Sequence, residues 1–172
     1  ISNSRFNITH SIFGDGGAVY ATGDNLNISS DNFTLTFSHN GNGGAIYVGG
    51  VNATVDGCHA NITQAQGMTM GSPQGPVHIG GYGGLAYIVG DNAVVRNSVF
   101  ERYNSTFDGG ALYIVGNGTN VSSTDFQYGH AVYGGAIYIE GEKTTIEDSG
   151  FSYNNADADG GVIYVNGNYT VI

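Results

Sequence analysis

Gly134-Gly135-Ala136-Ile137-Tyr138-Ile139-Glu140-Gly141 is one copy of a stretch that occurs six times in the chain. The others begin Gly16-Gly17-Ala18-Val19-Tyr20, Gly43-Gly44-Ala45-Ile46-Tyr47, Gly83-Gly84-Leu85-Ala86-Tyr87, Gly109-Gly110-Ala111-Leu112-Tyr113 and Gly160-Gly161-Val162-Ile163-Tyr164. Their second glycines are separated by 27, 40, 26, 25 and 26 residues. A near-constant period of this size marks a stack of one supersecondary unit.

Aligned on the glycine after each tyrosine segment, two further apolar columns emerge. Five residues on stand Ile28, Val55, Val95, Val121, Ile146 and Ile172; ten residues on stand Phe33, Ala60, Phe100, Phe126 and Phe151. Each unit is thus three short alternating runs separated by Gly, Asn, Asp and Ser, the pattern of three strands and three turns. No segment has the 3.6-residue period of a helix. Alternation along Gly-Gly-Ala-Ile-Tyr-Ile turns the aliphatic places inward and the tyrosine outward. The expectation is an all-β fold: a right-handed parallel β-helix, a solenoid of about six levels of three short strands. A propeller blade would need a period of about 40–45 residues, and the Leu/Asn signature of a leucine-rich repeat is missing.

The repeat covers residues 1–172, so one domain without linkers is expected. Ile1 and Ile172 fall in the same column, and neither end carries an atypical repeat. Solenoids need capping units, so the chain reads as a segment of a longer solenoid. Open ends of this kind also favour end-to-end self-association.

Composition limits the partners. Four Lys and Arg face 14 Asp and Glu, a net charge of −10, which disfavours nucleic acid, whose phosphates need a basic footprint. No apolar run is long enough for membrane insertion of this segment. The single Cys58 shares a column with Asp31, Ser98, Thr124 and Ser149 and is expected to be a small buried residue.

One unit is long, 40 residues against about 26 in the others. The excess lies in a loop insertion near 62–82, which holds Met68, Met70, Pro73 and Pro76. Insertions in solenoids become loops on one face, often the binding face. The competing expectation is a surface loop whose methionines dock on the flank.

Carbohydrate-cleaving chemistry would need carboxylates paired in adjacent levels or several gathered round Ca²⁺. The residues before the double glycines are Asp15, Asn42, Tyr82, Asp108, Tyr133 and Asp159, so the acids are interrupted. His10 and His130 share a column four levels apart, and His39, His59 and His78 have no partner in theirs. No catalytic residue, metal site or cofactor is expected. The tyrosines Tyr20, Tyr47, Tyr87, Tyr113, Tyr138 and Tyr164 should form an outward ladder, both a stacking device and, with Met68 and Met70, a candidate contact surface for a ligand or partner. Nine Asn-x-Ser/Thr sequons, at Asn7, Asn27, Asn32, Asn52, Asn61, Asn104, Asn117, Asn120 and Asn168, fall at turns or outward places and are glycosylation candidates.

The repeated Gly-Gly-Ala-Ile/Leu/Val, with Phe37-Ser38-His39-Asn40 and Phe151-Ser152-Tyr153-Asn154, resembles the repeats of chlamydial polymorphic outer-membrane proteins. It is equally similar to the adhesin-like surface proteins of methanogenic archaea, whose kind the sequon density and sparse Lys and Arg resemble more. The resemblance implies an extracellular, cell-surface adhesin module, a rigid stalk and passive binding surface for an extracellular glycan or surface protein. The alternative is a polysaccharide lyase or glycoside hydrolase of the pectate-lyase-like kind.

Overall fold

A computed structural model describes all of residues 1–172. It is all-β, without a helix, and its parallel strands stack as a solenoid of about six turns. Each turn visits three sheets in the same order, and three columns of the repeat name them. The phenylalanine sheet contains Arg5–Ser11, Asn32–His39, His59–Ser72, Val99–Ser105, Asp125–Gln127 and Gly150–Ser152. The tyrosine sheet contains Val19–Ala21, Ile46–Val48, Ala86–Ile88, Leu112–Ile114, Ile137–Ile139 and Ile163–Val165. The third sheet pairs Asn27–Ser29, Thr54–Asp56, Val94–Arg96, Asn120–Ser122 and Thr145–Glu147.

The register follows the columns of the sequence. Phe6, Phe33, Ala60, Phe100, Phe126 and Phe151 are successive partners. So are Ile28, Val55, Val95, Val121 and Ile146. These two columns meet Val19, Ile46, Ala86, Leu112 and Ile137 on the axis in one apolar core. Burial of these side chains against one another is the main favourable term for a chain of this kind.

The double glycine answers two separate demands. The first glycine of each pair sits at φ between 63° and 66°, a left-handed turn that residues with a Cβ resist. The second lies against the backbone of the next turn, where a Cβ on Gly84 would collide with the carbonyl oxygen of Gly110. Elsewhere most of the left-handed corners are not glycine, Gly57 and Gly118 being exceptions. Asn25, Asn52 and Asn92 occupy one such column, at φ 58°, 57° and 56°, and Asn tolerates that region better than most residues.

The long strands of the phenylalanine sheet hold a less expected column. Ile8, Leu35, Ile62 and Arg102 stand at φ 55°, 55°, 60° and 54°. Each inserts one residue into the alternation, so Phe33, Thr36 and Ser38 are all buried although two residues separate the first pair and one the second. The strand thereby bends and still presents its next side chain to the core. For β-branched Ile8 and Ile62 that geometry is a genuine outlier and costs on the order of 1–3 kcal/mol each.

Polar residues inside follow the same stacking. Thr9, Thr36 and Thr63 are register partners, and none of their hydroxyls has a hydrogen-bond partner. The next place in that column is Tyr103, buried, whose phenol donates to Asn154 Oδ1 at 2.7 Å. Gly129 makes room for it, since a Cβ there would strike the Tyr103 ring. Cys58 is buried, its Sγ 3.7 Å from the Ile28 carbonyl oxygen, and that burial pushes the thiol above its ordinary range.

The long unit departs from expectation in form. Residues 61–66 stay in register with the phenylalanine sheet. The extra chain is then a β-hairpin rather than an irregular loop, with Gly67 opposite Gly80 through to Ser72 opposite Gly75. Pro73 and Gln74 form its two-residue turn, and Pro73 fits because such a turn needs no N–H there. The columns on either side are undisturbed: Tyr47 still pairs with Tyr87 across the 40-residue unit.

Candidate functional site

The tyrosine ladder is continuous. Tyr20, Tyr47, Tyr87, Tyr113, Tyr138 and Tyr164 stack with successive ring centroids 4.7, 5.7, 5.2, 4.7 and 5.0 Å apart. The planes are inclined by no more than 17°. Exact register forces this, because parallel strands place equivalent side chains one above another. Stacked rings of this kind contribute about 0.5–1.5 kcal/mol per pair beyond burial.

The ladder faces outward but does not lie bare along its length. Tyr20 is 60% exposed, whereas Tyr113 is only 6% and Tyr138 9%. Tyr82, at the return of the hairpin, covers the middle of the ladder, its ring edge-on to Tyr113 at 5.0 Å. Tyr133 lies on the same flank, 5.1 Å from Tyr164. Burial, together with a side-chain hydrogen bond to Glu140, lifts the Tyr113 phenol well above its ordinary value. Burial first, then the charge of Glu140, raises Tyr87 to about 12, and burial, then the charges of Asp108 and Glu140, raises Tyr138 to about 12.

The hairpin forms an arm with two unlike faces. Met68 opposes Ile79 and Met70 opposes Val77, placing all four on one side. All four are exposed, Met70 by 52%, so the methionines do not dock on the flank of the coil. On the other side, Thr69 Oγ1 meets His78 Nδ1 at 3.0 Å, and the His78 ring packs on Phe107 at 4.2 Å. Gly67 and Gly81 lie against the Phe107 ring, where a Cβ on either would crowd it, and the Phe107 N–H donates to the Gly81 carbonyl.

Where arm and coil meet, a cleft of about 280 Å³ opens. It is lined by His78 and Tyr82 from the arm and its return, by Thr106, Phe107 and Asp108, and by Val132 and Tyr133 of the next turn. Asp108 is its single carboxylate. Burial raises Asp108 from 3.8 to about 6, against a backbone hydrogen bond from Tyr133 and the nearby His78, and Glu140 adds to the rise. It joins none of the ion pairs of the chain, which are His59–Glu101, Arg96–Asp56 and His130–Asp157.

The remaining titratable groups are dispersed. No three His, Cys, Asp or Glu side chains converge as a metal ion requires. His10 lies edge-on to His39 at 6.2 Å, and His130 pairs with Asp157 at 3.0 Å. Corner acids serve the backbone: Asp15 accepts from the Asn42 N–H and Asp91 from that of Asn117. None of the nine sequon asparagines is buried. Several are engaged with neighbours, as Asn61 is with Glu101 and Arg102, and Asn117 with Asp91.

A second, apolar hollow of about 400 Å³ lies at the C-terminal end of the coil, among Ile146, Phe151, Ile163, Val171 and Ile172. It is the open end of the core. Compared with known proteins, the chain matches no family model, no curated protein and no solved structure.

Proposed function

We propose that this solenoid is an extracellular, adhesin-like module of a cell surface, a stiff stalk whose lateral face holds a glycan or protein partner without transforming it. The observation that carries the reading is the arm. Four apolar side chains, Met68, Met70, Val77 and Ile79, are held out to solvent on a hairpin anchored to a rigid aromatic wall. A soluble fold has no reason of its own to present them together, and such exposed patches mark interaction sites. The sequons, at exposed or half-exposed places, accord with a glycosylated surface setting.

The alternative, a polysaccharide-cleaving enzyme, draws support from Asp108, whose raised proton affinity in a cleft is a property of general acids. Against it, no second carboxylate lines that cleft, and glycoside hydrolysis ordinarily uses two.

The deciding experiment incubates the chain with immobilised polysaccharides and surface-protein extracts, with and without Ca²⁺, and measures retention and newly released chain ends. Retention without release, lost in a Met68→Ser, Met70→Ser double variant, supports the adhesin reading. New chain ends, abolished by Asp108→Asn, would replace it with the enzyme.

A further inference from the structure

We propose that the cleft between the arm and the coil is a binding site for an organic ammonium group, a quaternary ammonium or the protonated amine of a slender alkyl chain. The inference concerns a ligand class at one cleft and does not depend on the adhesin reading.

Three features of the cleft point to this ligand. Its walls are rings: Tyr82, Phe107 and Tyr133, with the His78 imidazole at the arm. Aromatic faces attract cations through their quadrupole, more strongly when the pair is desolvated than when it is exposed. Its single carboxylate is Asp108, half-buried and without a cationic partner within ion-pair distance. Its size suits a small head group, since about 280 Å³ is too little for an extended chain of sugars.

The carboxylate is also not required by the fold. In the equivalent place one pair of turns earlier stands Asn42, whose Oδ1 accepts the N–H of Tyr82. An amide thus serves that corner. A carboxylate in the same role keeps the hydrogen bond and adds a charge that burial disfavours, offset only in part by Tyr133 and His78. A neutral sugar would leave that charge uncompensated. A cation would neutralise it and face the rings at once, which is how an aromatic cage with one acid selects an ammonium over an isosteric neutral group.

The probe is choline, with its neutral isostere 3,3-dimethylbutan-1-ol as control and n-butylammonium as a second cation. Binding is followed by calorimetry and by the ring proton signals of the tyrosines. Choline should bind saturably and at least about tenfold tighter than the isostere, a difference of about 1.4 kcal/mol. Asp108→Asn, which preserves the corner hydrogen bond, should remove that preference, and Phe107→Leu should weaken choline by several-fold. Choline carries its charge at every pH, so its affinity should fall as the medium is acidified through about 6, where Asp108 takes up its proton. His78 on the arm, Glu140 beside the ladder and the phenols of Tyr82, Tyr113 and Tyr133 share this neighbourhood. The acid-induced fall should therefore persist in His78→Gln. Equal affinity for choline and the isostere, an unchanged preference in Asp108→Asn, or no saturable binding at millimolar choline would each overturn the proposal.

Discussion

The His78 imidazole of the arm and the Phe107 ring of the coil lie 4.2 Å apart, centroid to centroid, at 56°. They join an element that breaks the repeat to one that obeys it. Without this contact the arm would meet the coil only through the backbone of its base, at Gly67, Gly80 and Gly81. Phe107→Ala should therefore loosen the arm and little else. The loss of about 1–2 kcal/mol of burial should speed amide exchange in residues 67–80 roughly tenfold, with exchange in the tyrosine sheet unchanged. Uniform acceleration, or none, would show that the arm is held otherwise.

The glycines separate into those the stack requires and those it does not. Gly84→Ala drives a methyl into the Gly110 carbonyl and the backbone of Asn104, and should destabilise the fold by about 3 kcal/mol or more, the high end of overpacking costs. Gly71→Ala, on the arm with nothing within 4 Å of the new carbon, should stay within about 0.5 kcal/mol of the parent. Urea midpoints of the two variants test the distinction.

The inner threonine column contributes a cost that substitution can remove. Thr36 is fully buried, and its hydroxyl lacks a hydrogen-bond partner. Thr36→Val keeps the shape and deletes the orphaned oxygen, so it should stabilise the chain by about 1 kcal/mol. A destabilised variant would mean that the hydroxyl is satisfied in solution.

Asp108 gives an acid-side signature. Its folded value of about 6 stands above the ordinary 3.8, so the folded chain holds the proton more tightly than the unfolded one. Stability from this group is complete below about pH 3.8 and is lost as pH rises through about 6. Asp108→Asn should raise Tm above about pH 7 and leave it nearly unchanged near pH 3, as a set of thermal melts would reveal.

The ladder gives an alkaline one. Tyr87 and Tyr138 are lifted from 10.0 to about 12, and the neutral phenols fit the stack while phenolates do not. Their contribution is intact below about pH 10 and declines as pH rises towards 12. Tyr87→Phe and Tyr138→Phe should flatten the fall in urea midpoint over that window. A slope equal to the parent's would place the alkaline sensitivity elsewhere.

The repeat made the coil legible because a parallel stack turns sequence spacing directly into contact. Tyr113 lies on Tyr138 and Val95 on Val121 for no reason beyond equal position in successive units. The arm was harder to read, although Met68, Met70, Val77 and Ile79 alternate on either side of Pro73-Gln74. Set against a 26-residue rhythm, that alternation registered as excess length. The cleft was legible only in part: Tyr82, Asp108 and Tyr133 stand in one column, the place before the double glycine, but no spacing brings Phe107 and the His78 of the arm against them. Not legible were the left-handed Ile8, Leu35 and Ile62, where the demand of the bend overrides what an aliphatic side chain prefers alone.

The undisturbed pairing of Tyr47 with Tyr87 has an evolutionary consequence. Each unit answers only to its neighbours, so a lineage can graft an arm onto one turn, lengthen it, exchange its tip or discard it, and the scaffold inherits none of the damage. Recognition and architecture are then free to change at different speeds, with the corner ahead of a double glycine as the point where novelty enters.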